Sequence, residues 1–73
     1  MTDVRAEITA NVWQVSASVG DVVAEGDEIA ILESMKMEIP VVVEVAGTIT
    51  QLTIEPGGTV REGDLMAVIE PAP

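Results

Sequence analysis

The sequence predicts an all-β domain, and three observations predict it. β-Branched residues are in surplus: Val, Ile and Thr number 12, 7 and 6, against three Leu and no Phe or Tyr. Branching at Cβ stiffens χ1 and suits a pleated surface better than a helix. The chain also repeats itself, and the extended runs between its glycine-bearing turns are too short for helices. With 73 residues there is room for one domain spanning residues 1–73 and for one small core.

The repeat appears when the chain is slid against itself by 37 positions. Residues 7–33 then align with 44–70 without a gap, with nine identities in 27 pairs, among them Gly20/Gly57, Val23/Val60, Gly26/Gly63, Asp27/Asp64 and Glu33/Glu70. Apolar pairs such as Val12/Ile49 and Leu32/Ile69 fall between them. Two copies are too few for a solenoid. They predict a pseudo-twofold in which each half supplies strands to a shared core, a sandwich or flattened barrel.

Each copy is punctuated alike. In the first, Val12 to Ser18 reads as a strand, Gly20-Asp21 as a turn, Val22-Val23 as a short extended piece and Glu25-Gly26-Asp27 as a second turn before Ile29 to Leu32. The second copy runs Thr48 to Ile54, Pro56-Gly57-Gly58, Thr59-Val60, Glu62-Gly63-Asp64 and Leu65 to Ile69. Glycine reaches φ > 0 without steric cost, which is the use expected of it here, Gly63 included. Between the copies, residues 34–43 form a central hairpin whose second strand runs Met37 to Val45. Pro40 has no N–H to donate, so that strand begins near it or presents it at an edge. Trp13 is expected as a packed strand residue.

Composition closes several routes. There is no Cys and no His, which removes disulfides, Cys/His zinc sites, thiol nucleophiles and imidazole catalysis. The formal charge of −10 repels phosphate backbones and anionic lipid, so nucleic acid and membrane are poor partners. No apolar stretch approaches a membrane span and the first residues lack a secretory layout, which predicts a cytoplasmic protein. Glu25, Asp27 and Glu28 lack the register of a calcium loop, and Pro56-Gly57-Gly58 lacks the lysine that follows in a phosphate cradle. An enzyme is the poorest reading of this inventory.

What remains is Lys36, the sole lysine, between Met35 and Met37 at or beside the tip of the central hairpin. A lone primary amine at a tight turn, flanked by adaptable thioethers, is an address where another protein can acylate one nitrogen. An ordinary ammonium with a pKa of about 10.4 is neutral at pH 7 in roughly one molecule in a few thousand. No base in the chain could activate it, so acylation needs a separate enzyme that desolvates the amine and supplies an activated carboxyl group. The plainer alternative is a lysine that solubilises a hairpin turn.

Glu33-Ser34-Met35-Lys36-Met37 resembles the Glu-Ala-Met-Lys-Met signature of biotinyl domains, the carrier modules of biotin-dependent carboxylases. Val12-Trp13, Gly20 to Val23, Glu25 to Asp27, Gly47 to Ile49 and Gly63 to Met66 match the wider frame, so the resemblance spans the chain, most of all to short stand-alone carriers of the biotin carboxyl carrier protein kind. It implies the biotinyl/lipoyl fold, two four-stranded antiparallel sheets with pseudo-twofold symmetry. It implies biotin held covalently on Lys36 by biotin protein ligase, with Met35 and Met37 read by the ligase and partner enzymes. It implies CO2 carried between biotin carboxylase and carboxyltransferase subunits by a non-catalytic carrier, monomeric when isolated. Ser34 stands where the signature has Ala, and Glu7 and Ala10 replace the Pro and Gly of the family's opening. The rivals are a lipoyl carrier, which usually shows Asp-Lys-Ala at the turn, and an unmodified interaction module in which Met35 and Met37 are edge-of-core residues.

Overall fold

The computed structural model describes residues 1–73. Eight strands follow one another: β1 (Thr2–Arg5), β2 (Ala10–Val15), β3 (Val22–Val23), β4 (Glu28–Ser34), β5 (Met37–Val42), β6 (Gly47–Leu52), β7 (Thr59–Val60) and β8 (Leu65–Pro71). They form two four-stranded sheets, in the orders β1-β8-β6-β3 and β5-β4-β2-β7, with every pairing antiparallel. The all-β sandwich read from the sequence is the architecture observed.

The repeat is the symmetry of the sandwich. A shift of 37 residues carries β2, β3 and β4 onto β6, β7 and β8, and β1 onto β5, so one sheet maps onto the other strand by strand. The halves also exchange a strand, because β3 of the first copy edges the sheet of the second and β7 does the reverse. Even the irregularities correspond. β2 bulges between Val12 and Gln14, and β6 between Ile49 and Gln51; such bulges bend a strand and strengthen its twist.

The turns are built twice in the same way. Asp27 Oδ2 accepts the Ala24 N–H at 2.8 Å and Asp64 Oδ2 accepts the Arg61 N–H at 2.9 Å, a local side-chain closure typical of Asp in turns. The glycines just before these aspartates, Gly26 and Gly63, donate at 2.8 Å to the Val43 and Ala6 carbonyls, tying each turn to the other half. Their φ values of 90° and 89° explain why glycine recurs there.

The core lies between the sheets. Ile29, Leu32, Val43, Ile49, Met66 and Ile69 are its most buried large side chains, and no polar or charged residue is buried. Several boundaries differ from the sequence reading. β1 does not stand out in the sequence: Thr2–Arg5 is short and polar at three of its four positions, and it is held as a strand by pairing with β8. β5 ends at Val42, because the Val43 N–H and C=O bond to the Asp27–Gly26 turn. β2 and β6 stop before Ser16 and Thr53, whose N–H groups turn to the Ile29 and Met66 carbonyls. Trp13 is a correction. It is 51% exposed, because it is the extra residue of the β2 bulge: Val12 pairs with Leu32 and Gln14 with Ile31, leaving Trp13 without a partner.

Candidate functional site

The hairpin β4–β5 closes at Ser34, which pairs with Met37 and leaves Met35 and Lys36 as a two-residue loop. Both have left-handed backbones, with φ of 53° and 65°. Positive φ at both central residues marks the mirror-type turn whose twist matches the flanking strands, a turn that usually takes Asn-Gly. An L side chain there costs roughly 1 kcal/mol or more per residue. The loop thus trades stability for side chains at its tip.

Those side chains project into solvent. Met35 is 91% and Met37 63% exposed, and Lys36 is exposed as well. The expectation that Met35 and Met37 could be edge-of-core residues does not hold. Lys36 Nζ takes part in no hydrogen bond, and the chain's one ion pair joins Arg5 to Asp3 at 3.0 Å. Below the tip, Glu33 and Glu38 stand directly opposite one another on β4 and β5, and both are exposed. Like charges facing each other across a strand pair do not stabilise a sheet. Two open hollows exist elsewhere, one of about 700 Å³ between the edge strands β1 and β5, and neither is lined by Lys36. The sequence reading found the hairpin and its lysine. It missed the facing glutamates, whose opposition follows only once the two-residue loop fixes the register, and the exposed Trp13.

The sequence profile of the family described as "Biotin-requiring enzyme" (biotin/lipoyl) matches residues 1–69. The chain belongs to the biotin/lipoyl attachment family. Among similar proteins, the biotinylated protein TB7.3 homolog of Mycobacterium leprae is 60% identical over 45 residues, covering 62% of this chain and 63% of that one. The biotin/lipoyl attachment protein of Bacillus subtilis is 48% identical over 44 residues, 60% of each chain. The chain therefore matches about three fifths of the length of these relatives.

Solved structures carry the fold of this biotin/lipoyl domain over nearly its whole length. Urea carboxylase of Kluyveromyces lactis superposes with a TM-score of 0.87 and 36% identity, covering 94% of this chain and 6% of that one. The lipoyl domain of the 2-oxoglutarate dehydrogenase complex from Azotobacter vinelandii gives 0.82 at 23% identity, covering 99% of this chain and all of that one. The latter is a likeness of fold alone.

Proposed function

We propose that this biotin/lipoyl domain is a biotin carrier, with Lys36 as the residue that bears the group. The observation that carries the reading is the placement of the sole lysine: it stands at the tip of a two-residue loop, exposed, with its Nζ unpaired. A covalent acyl group needs an amine that another protein can enclose, and this one has no internal partner to give up. In the ligase site, Lys36 Nζ loses its proton and attacks the activated carboxyl carbon, forming an amide as the activating group leaves. Met35 and Met37 give biotin protein ligase and later partners an apolar, adaptable surface on either side of the amine. When bound, biotin supplies a ureido nitrogen able to take up and give up CO2. The strands supply no acid or base beside the tip except Glu33 and Glu38, so the domain carries the group while biotin carboxylase and carboxyltransferase subunits do the chemistry. Tethering keeps delivery within one complex.

The names of the relatives and the carboxylase fold neighbours favour biotin, and Met on both sides of the lysine favours it over a lipoyl group. The reading extends to one carrier domain over residues 1–73, monomeric in isolation and working in the cytoplasm. Intact-mass measurement of the protein produced with active biotin protein ligase tests it. One biotin adduct is expected, captured by streptavidin and abolished in Lys36→Arg. A lipoyl adduct, or none, refutes it.

A further inference from the structure

The two sheets share a plan, so positions where they differ in chemistry stand out. On the outer face of the sheet that carries the Lys36 hairpin, Pro40, Ile31 and Gln14 form one cross-strand row, with Trp13 beside Gln14 at the bulge. Val42, 47% exposed, follows Pro40 on the same side of β5. The corresponding residues of the other sheet, 37 positions away, are Asp3, Val68, Gln51, Thr50 and Arg5. Three apolar residues thus stand where the twin sheet has an aspartate, an arginine and a threonine. The fold does not need them apolar, since the twin sheet manages with polar ones. Exposed Trp and Val on a sheet face also cost solubility.

The same sheet is purely acidic in its charges. Its strands carry Glu28, Glu33 and Glu38 and no Lys or Arg, while the one ion pair of the chain, Arg5 with Asp3, sits on the other sheet. A broad exposed indole on the same sheet face as Pro40, which lies two strands away across β4, with the carboxylates of Glu28 and Glu33 on β4 to either side of the row, suits a guanidinium that stacks on the ring while its N–H fork meets a carboxylate. The row Glu38–Glu33–Asn11 separates this apolar band from the hairpin tip, so a protein seated on the band lies alongside Lys36.

We infer that the outer face of β5-β4-β2, centred on Trp13 with Pro40 and Val42, is the docking surface for an arginine-bearing patch of the protein that acylates Lys36. This rests on the reading of the domain as a ligase substrate. The test is steady-state biotinylation of the apo domain by purified biotin protein ligase, comparing wild type with Trp13→Thr, Trp13→Phe, Pro40→Asp and, on the far sheet, the 82% exposed Val22→Thr. Trp13→Thr should raise KM about tenfold or more with kcat unchanged, as loss of a central aromatic anchor does. Pro40→Asp should raise it less, Trp13→Phe should keep most of the affinity, and Val22→Thr should leave KM as it was. Thermal melting separates docking from folding: the KM change must appear with the melting temperature within a few degrees of wild type. Unchanged KM in Trp13→Thr overturns the docking surface, as does an equal rise in Val22→Thr. Failure of the carrier reading looks different, because wild type itself then takes up no biotin.

Discussion

The two ends of the sandwich obey one plan and do opposite things with it. At one end the shift of 37 residues places the β4–β5 loop with Lys36; at the other, the equivalent positions fall at the chain's two termini, beside Thr2 and Pro71. Everything the two halves share, the Asp-closed turns, the bulges and the exchanged short strands, serves the core. What they do not share includes, at the Lys36 end, two left-handed side chains at the tip, Glu38 facing Glu33, and the exposed Trp13. Symmetry therefore acts as an internal control for the exposed faces: an exposed side chain that is apolar in one copy and polar in the other is not held there by the shared core.

The comparison breaks most sharply at Gly47, whose counterpart is Ala10. A methyl added to Gly47 would overlap the Glu70 carbonyl and come within 2.9 Å of Ile69 Cγ2, whereas Ala10 is buried at 6% exposure. Gly47→Ala must push β6 away from β8 and should cost about 3 kcal/mol, as overpacking against backbone does. That is a large part of the roughly 4 to 11 kcal/mol expected for a chain of this size. Ala10→Gly should cost only about 1 to 2 kcal/mol, from a lost methyl and a looser strand. Urea unfolding of both variants reads the asymmetry, and equal losses would show that the strands are better matched at this point than their backbones indicate.

The turn glycines sharpen the shared part. Gly26 and Gly63 both have φ near 90° and open space where a Cβ would sit, so substitution is penalised by backbone conformation alone. Gly26→Val and Gly63→Val should each destabilise by about 1 to 3 kcal/mol, and by similar amounts. A Gly63→Val domain that melts like wild type would mean that the turn relaxes at no cost.

Much of this was legible in the sequence because it is local and repeated. Gly20/Gly57, Gly26/Gly63 and Asp27/Asp64 mark turns by their own chemistry, and the unmatched segment between the copies marks the hairpin. What escaped notice depends on pairing. Thr2–Arg5 has no strand character apart from β8, although Val4 against Val41 extends the repeat and gave a signal. Trp13 looked like core because nothing local reveals a bulge. The constraint at Gly47 comes from a strand 23 residues further on (Glu70), and the exchange of β3 and β7 between sheets leaves no trace in composition.

The smallest effect is the most informative about the tip. Met35 holds φ 53° and is 91% exposed, so it contributes almost nothing to the core while occupying a position that Asn fills with less strain. Met35→Asn should therefore raise stability by about 0.5 to 1 kcal/mol, a gain of a few degrees in melting temperature for a domain of this length. The same substitution should slow biotinylation of Lys36, because the thioether beside the amine is gone while the loop geometry is kept. Stability and labelling moving in opposite directions would show that the tip is shaped for its partner at the expense of the fold. If Met35→Asn melts lower than wild type, the methionine is supporting the hairpin after all, and the contrast between a structural framework and a tip built for recognition fails at its centre.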